Sequence, residues 1–163
     1  MSTILNTNGS NIEIEKISET ADGFFYVITA DWNEKITHSL REGALGVLEA
    51  AGVRPDRIRK ISVPGTVELV NAAAHVLNKG NAEAVIVIGC VIRGDTPHFD
   101  YVCNIASQGV ATLNSRGDAP VIFGVLTVEN LQQAADRAGG IYGNKGAEAA
   151  AAAVVMANMH HSF

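Results

Sequence analysis

The sequence predicts an α/β protein, a three-layer α/β/α sandwich around a four-stranded parallel sheet. Three observations carry that expectation. Short apolar runs alternate with helical patterns of ten or more residues, which calls for crossover connections between parallel strands. The runs are apolar at consecutive positions, as strands covered on both faces are. Small residues abound, with 23 alanines and 16 glycines among 163 residues against 6% aromatic, so helices can approach a sheet closely. A chain of this length fits one core.

The segment 1–22 is rich in Ser, Thr, Asn and Glu and has too little apolar surface to fold alone. Its one alternation, Ile12, Ile14 and Ile17, reads as an edge strand. The organisation expected is therefore a polar arm, 1–22, and a single domain, 23–163. Phe24 to Ile28 is the first buried strand. Asn33 offers an N-cap to a helix carrying Ile36, Leu40, Ala44, Val47, Leu48 and Ala51 at helical spacing. Gly52 stops that helix, and Pro55 lies just beyond.

The unit then repeats. Ile58 to Val63 reads as a strand, Pro64-Gly65 as a turn, and Thr66 to Lys79 as a helix closed by Gly80. Ala84 to Gly89 is the most apolar strand, and a polar loop leads to a helix with Val102, Ile105, Ala106, Gly109, Val110 and Leu113 on one stripe. Pro120 to Leu126 is a fourth strand, followed by a helix from about Val128 and a last, alanine-rich one from about Gly146. Four parallel strands in so short a chain fit a flavodoxin-like sandwich.

Composition excludes several classes. With 12 basic and 17 acidic residues the net charge is −5, unlike a protein that coats nucleic acid or an anionic membrane. The first 15 residues lack the basic and apolar regions of a secretory signal, and no apolar run approaches a membrane span. A cytoplasmic protein with two free thiols, Cys90 and Cys103, is expected. No Gly-x-Gly-x-x-Gly follows the first strand and no P-loop occurs, which excludes the common nucleotide cradles. No ligand-pair spacing of Cys or His supports a metal site.

Ligands of an open parallel sheet bind beyond the carboxyl ends of its strands. Three loops should meet there, 30–33, 63–68 and 89–98. Trp32, the only tryptophan, could wall a pocket for a flat ring or simply pack on the following helix. Glu68 falls in the first turn of a helix, where it complements the dipole or accepts hydrogen bonds from ligand hydroxyls. Backbone N–H groups around Gly94, with the Thr96 hydroxyl, could cup a phosphate provided Asp95 points away. His98 at a helix start suits proton transfer, though a surface capping role is commoner for such a histidine.

Taken in sequence, these loops resemble a known family. Val63-Pro64-Gly65-Thr66-Val67-Glu68-Leu69 and Gly89-Cys90-Val91-Ile92-Arg93-Gly94-Asp95-Thr96-Pro97-His98 closely resemble the signatures of 6,7-dimethyl-8-ribityllumazine synthase. So do 120–127, Arg137-Ala138-Gly139 and Gly143-Asn144-Lys145-Gly146, and the likeness runs unbroken from about Gly23 to Phe163. It implies condensation of 5-amino-6-(D-ribitylamino)uracil with 3,4-dihydroxy-2-butanone 4-phosphate, with no metal and no organic cofactor. It also implies roles. Trp32 would stack on the pyrimidine, while Asn33 and Glu68 bond the ribityl chain beside the Thr66-Val67 backbone. The Val91-Ile92 backbone would read the uracil edge. Gly94, Asp95 and Thr96 would form the phosphate loop with Arg137, and His98 would transfer protons. Phe123, Lys145 and Arg137 would reach the site from a neighbouring subunit.

This chain departs from the family pattern at Trp32, where Phe is usual, at Val67, where an aromatic is commoner, and at Pro97, where Thr or Ser is usual. The resemblance further implies a homo-pentamer. The short connection 139–146 is similar to that of members whose twelve pentamers close into a sixty-subunit shell. The N-terminal arm would then add a strand to a neighbour's sheet, and riboflavin synthase is a candidate partner. Two other readings are a catalytically weak shell or flavin-binding protein that keeps the fold, and another small flavodoxin-like domain that binds a phosphorylated ligand.

Overall fold

The computed structural model describes residues 12–162. Residues 1–11 of the arm lie outside the described residues, while 12–17 run without strand structure in the chain itself. Ile12, Ile14 and Ile17 pack on the domain's own apolar core. The Asn158 amide holds this stretch on both sides, accepting from the Ser18 N–H at 2.9 Å and donating to the Lys16 carbonyl at 2.9 Å.

The elements in chain order are β1 (Phe24–Ala30), α1 (Glu34–Ala50), a 3₁₀ turn at Pro55–Arg57, β2 (Ile58–Val63), α2 (Glu68–Leu77) and β3 (Ala82–Ile92). There follow α3 (His98–Asn114), β4 (Val121–Val128), α4 (Leu131–Arg137), β5 (Ala138–Gly140), β6 (Gly143–Asn144) and α5 (Lys145–His160). Strands β1 to β4 form one parallel sheet in the order β2-β1-β3-β4, with Ile28 beside Ile61 and Val87, and Val87 beside Phe123.

Consecutive strand residues feed opposite layers, which is why the runs are apolar without alternation. Phe25, Val27, Ile86 and Ile88 pack under α1 and α5, while Tyr26, Ile28, Val85 and Val87 pack under α2 and α3. The abundance of small residues is spent largely between α1 and α5. Ala149, Ala150, Ala153 and Ala157 are buried along α5, and a Cβ on Gly146 would run into the Leu40 carbonyl. One amide fixes that approach. The Asn144 Oδ1 accepts from the N–H groups of Gly146 and Ala147, capping α5, while its Nδ2 donates to the Ser39 carbonyl of α1 at 2.8 Å.

Several boundaries differ from the sequence expectation. Helix α2 starts at Glu68 rather than Thr66, since residues 64–67 are used to turn from β2. The expected helix near Val128 starts at Leu131, capped by the Asn130 side chain, because β4 continues to Val128. Strand β3 extends from Ala82 to Ile92, and the β5–β6 ribbon was not expected at all. Asn33 occupies the N-cap position of α1 but makes no side-chain cap bond. Its backbone is left-handed, φ 61° and ψ 41°, and this turns the side chain across the sheet end instead.

Candidate active site

The strand order reverses direction between β1 and β3, and a crevice opens beyond the carboxyl ends of strands at such a switch point. A cavity of about 460 Å³ lies there. It brings together Trp32 and Asn33 after β1, Thr66, Val67 and Glu68 after β2, Val91 and Ile92 at the end of β3, and His98 at the start of α3. Cys90 and Val102 complete the lining. Segments far apart in sequence therefore meet because three parallel strands end at one level. Backbone bonds beyond the strands hold that level, from the N–H of Asp31 to the Val63 carbonyl at 2.8 Å and from that of Trp32 to the Pro64 carbonyl at 3.1 Å.

Trp32 is 68% exposed, so its indole forms a wall and is not a staple on α1. It lies over Gly65, where a Cβ would come within 2.7 Å of the ring and 2.9 Å of the Glu68 Oε2. The glycine thus lets the indole and the carboxylate share one side of the cavity. The Asn33 Nδ2 donates to the Cys90 carbonyl at 2.8 Å, which ties β1 to β3 and leaves its Oδ1 without a partner among the described residues. Burial pushes the Cys90 thiol up to about 11. The Cys103 thiol is raised as well, by burial and then by the Asp100 charge. Neither is a thiolate at neutral pH, so nucleophilic sulfur chemistry has no basis here.

His98 is exposed at the cavity rim. Ahead of it, Gly94, Asp95 and Thr96 are exposed and lie outside the cavity lining, and the Thr96 hydroxyl accepts from the His98 N–H at 3.4 Å. Arg93 is not available as an anion ligand. Its guanidinium bonds Asp100 at 3.2 Å and Glu129 at 3.0 Å and lies 4.1 Å from the Phe99 ring centre, pinning the loop to α3 and the end of β4.

The other three expected site residues are elsewhere. Phe123 and Lys145 line a groove of about 230 Å³ along β4 and the start of α5, which shares no residue with the cavity. Arg137 ends α4, with its guanidinium 4.8 Å from the Tyr142 ring centre and an Nη1 donating to the Gln133 carbonyl at 3.1 Å. The described residues contain no cluster of three or more His, Cys, Asp or Glu that could hold a metal ion, and no helix among them is long and apolar enough to cross a membrane.

Residues 24–161 match the family model of 6,7-dimethyl-8-ribityllumazine synthase. Similar curated proteins carry that name. One from Parabacteroides distasonis is 46% identical over 151 residues, spanning 93% of this chain and 94% of its own. One from Porphyromonas gingivalis is 47% identical over 152 residues, with the same two shares. A third, from Flavobacterium johnsoniae, is 46% identical over 93% of this chain and 80% of its own. The chain belongs to the lumazine synthase family. It is an enzyme of the transferase type, and membership supports a role in riboflavin biosynthesis.

Membership gives the geometry a frame. The lumazine synthase domain takes in every element from β1 to α5, with both the cavity and the groove. Sequence reasoning missed one charged residue, Glu148, which is buried in the groove and pairs with Lys145 at 2.7 Å. The signal was available, as a Lys and a Glu three positions apart open an otherwise uncharged alanine run.

Proposed function

We propose that the chain condenses 5-amino-6-(D-ribitylamino)uracil with 3,4-dihydroxy-2-butanone 4-phosphate to 6,7-dimethyl-8-ribityllumazine, releasing phosphate and two waters. The observation that carries this reading is the cavity itself, where seven residues expected to bind the pyrimidine and its ribityl chain line a single space with His98 at the switch point. Trp32 stacks on the pyrimidine, Glu68 and the free Asn33 Oδ1 accept from ribityl hydroxyls, and the Val91-Ile92 backbone meets the uracil edge. Phosphate sits at Gly94, Asp95 and Thr96, held chiefly by backbone N–H groups and the Thr96 hydroxyl, with Arg137 as its cationic fork.

The 5-amino group adds to the ketone and loses water to give an imine, phosphate leaves, and ring closure with loss of a second water completes the product. His98 moves protons between these steps. Most of the acceleration comes from holding two reactants in register, an effect that can supply about 7–11 kcal/mol. The condensation is tested by mixing the protein with both substrates and following the lumazine's absorbance and fluorescence. A rate no higher than the spontaneous one sinks the reading.

Assembly belongs to the same proposal. The cavity holds no Arg137, Phe123 or Lys145, and the groove that holds the last two has no Trp32 or His98. One complete site is then built from the cavity of one copy and the groove of the next, around a pentamer. The short 139–146 connection favours closure of twelve pentamers into a shell. Light scattering behind size exclusion that gives a mass near five chains refutes the shell and leaves the pentamer.

A further inference from the structure

The groove along β4 has apolar walls from Val121, Phe123, Val125 and Ala149, and only two charges, Lys145 and Glu148. Their side chains are 14% and 10% exposed, and they meet at 2.7 Å. Lys145 is the first residue of α5, an end whose dipole disfavours a cation. A lysine on an apolar wall also tends to turn its ammonium out to water. Something must hold this one in. Glu148 sits one helical turn on, where a carboxylate suits the dipole, and it is the only charged residue among the buried ones described.

We propose that Glu148 is a positioning residue that keeps the Lys145 ammonium directed along the β4 groove, so that Lys145 can bind the polar edge of the pyrimidine. The donor count supports this. An ammonium has three N–H donors, and the structure commits one, to the Glu148 Oε1. Two remain for a ligand carbonyl, the chemistry a ureide edge offers. The rest of the wall is apolar, so a misplaced ammonium has no second polar group there to hold it. The inference rests on the proposed function, which assigns Lys145 to pyrimidine binding.

The test uses the assembled protein and steady-state kinetics with the pyrimidine as the varied substrate. Glu148→Gln should raise its KM about ten- to a hundredfold, with kcat changed less than about threefold, and Glu148→Asp should recover part of that loss. In a Lys145→Met background the same Glu148→Gln change should cost less than about twofold, because a residue that acts through Lys145 has nothing left to position. Equal costs in the two backgrounds assign Glu148 a structural role and overturn the proposal, as does an unchanged KM in Glu148→Gln. A raised KM in Lys145→Met with an unaltered Glu148→Gln rejects this inference alone. If Lys145→Met itself leaves KM unchanged, the assignment of Lys145 to the pyrimidine fails, and the inference fails with it.

Discussion

The cavity at the sheet edge and the groove on β4 solve different problems. The cavity is the larger and is lined by the turns after β1 and β2, the end of β3 and the starts of α2 and α3, with its polar groups spaced around an apolar lining and its largest ring, Trp32, standing in solvent. The groove is smaller and built from one strand and one helix, with its two charges paired to each other. The first can recognise a ligand by stacking and by several separated hydrogen bonds. The second offers one directed cation on an apolar surface. Under the proposed function each supplies half of a site, the cavity from the turns after β1 and β2 and the groove from the seat of α5 beside β4.

That contrast can be broken hardest from the groove side. Gly146→Val drives a side chain into the Leu40 carbonyl, a backbone group that cannot rotate away. Thermal unfolding should show a loss of at least about 3 kcal/mol, or failure to fold. By contrast Gly46→Ala, on the open side of α1 with nothing within 4 Å, should stabilise by about 0.5–1 kcal/mol. On the cavity side, His98→Ala should lower kcat toward the low end of the ~10²–10⁴-fold range of general acid–base catalysis while staying above the spontaneous rate. Complete loss of turnover, with ligand binding and assembly intact, would show that positioning is not the main source of the acceleration.

Trp32→Ala should raise the KM for the pyrimidine by the equivalent of about 1–3 kcal/mol, the range for stacking on an aromatic ring. An unaltered KM would remove the indole from the site. The smallest effect sharpens the comparison through pH. The folded Cys90 thiol is raised from the ordinary 9.0 to about 11. The folded chain therefore keeps a proton that the unfolded chain gives up, and stability is present below pH 9 and lost as pH rises toward 11. Cys90→Ala should flatten that alkaline fall in urea unfolding midpoints, with kcat at neutral pH little changed.

Much of this was legible in the sequence, for reasons that are physical. The four strands and their layers follow from apolar runs and helical stripes, and the three loops at one sheet edge follow from parallel topology alone. Boundaries at Glu68 and Leu131 slipped because turn residues and strand ends compete there with helical periodicity. The Asn33 side chain was read as a cap because the residue type favours one, but a left-handed backbone sent it to the Cys90 carbonyl. Glu148 escaped notice because a Lys–Glu pair three residues apart looks like surface decoration until burial is known. The separation of Phe123 and Lys145 from Trp32 agrees with the resemblance, which places them on a neighbouring subunit, but the shape of the groove and its buried Glu148 needed coordinates.

One consequence of the Trp32 position concerns measurement rather than chemistry. The chain has a single tryptophan, and it stands at the mouth of the cavity. Its ultraviolet emission therefore comes from one known place and needs no attached dye. Any molecule that settles against that ring should change the intensity or colour of the light, so the cavity carries its own optical gauge of occupancy.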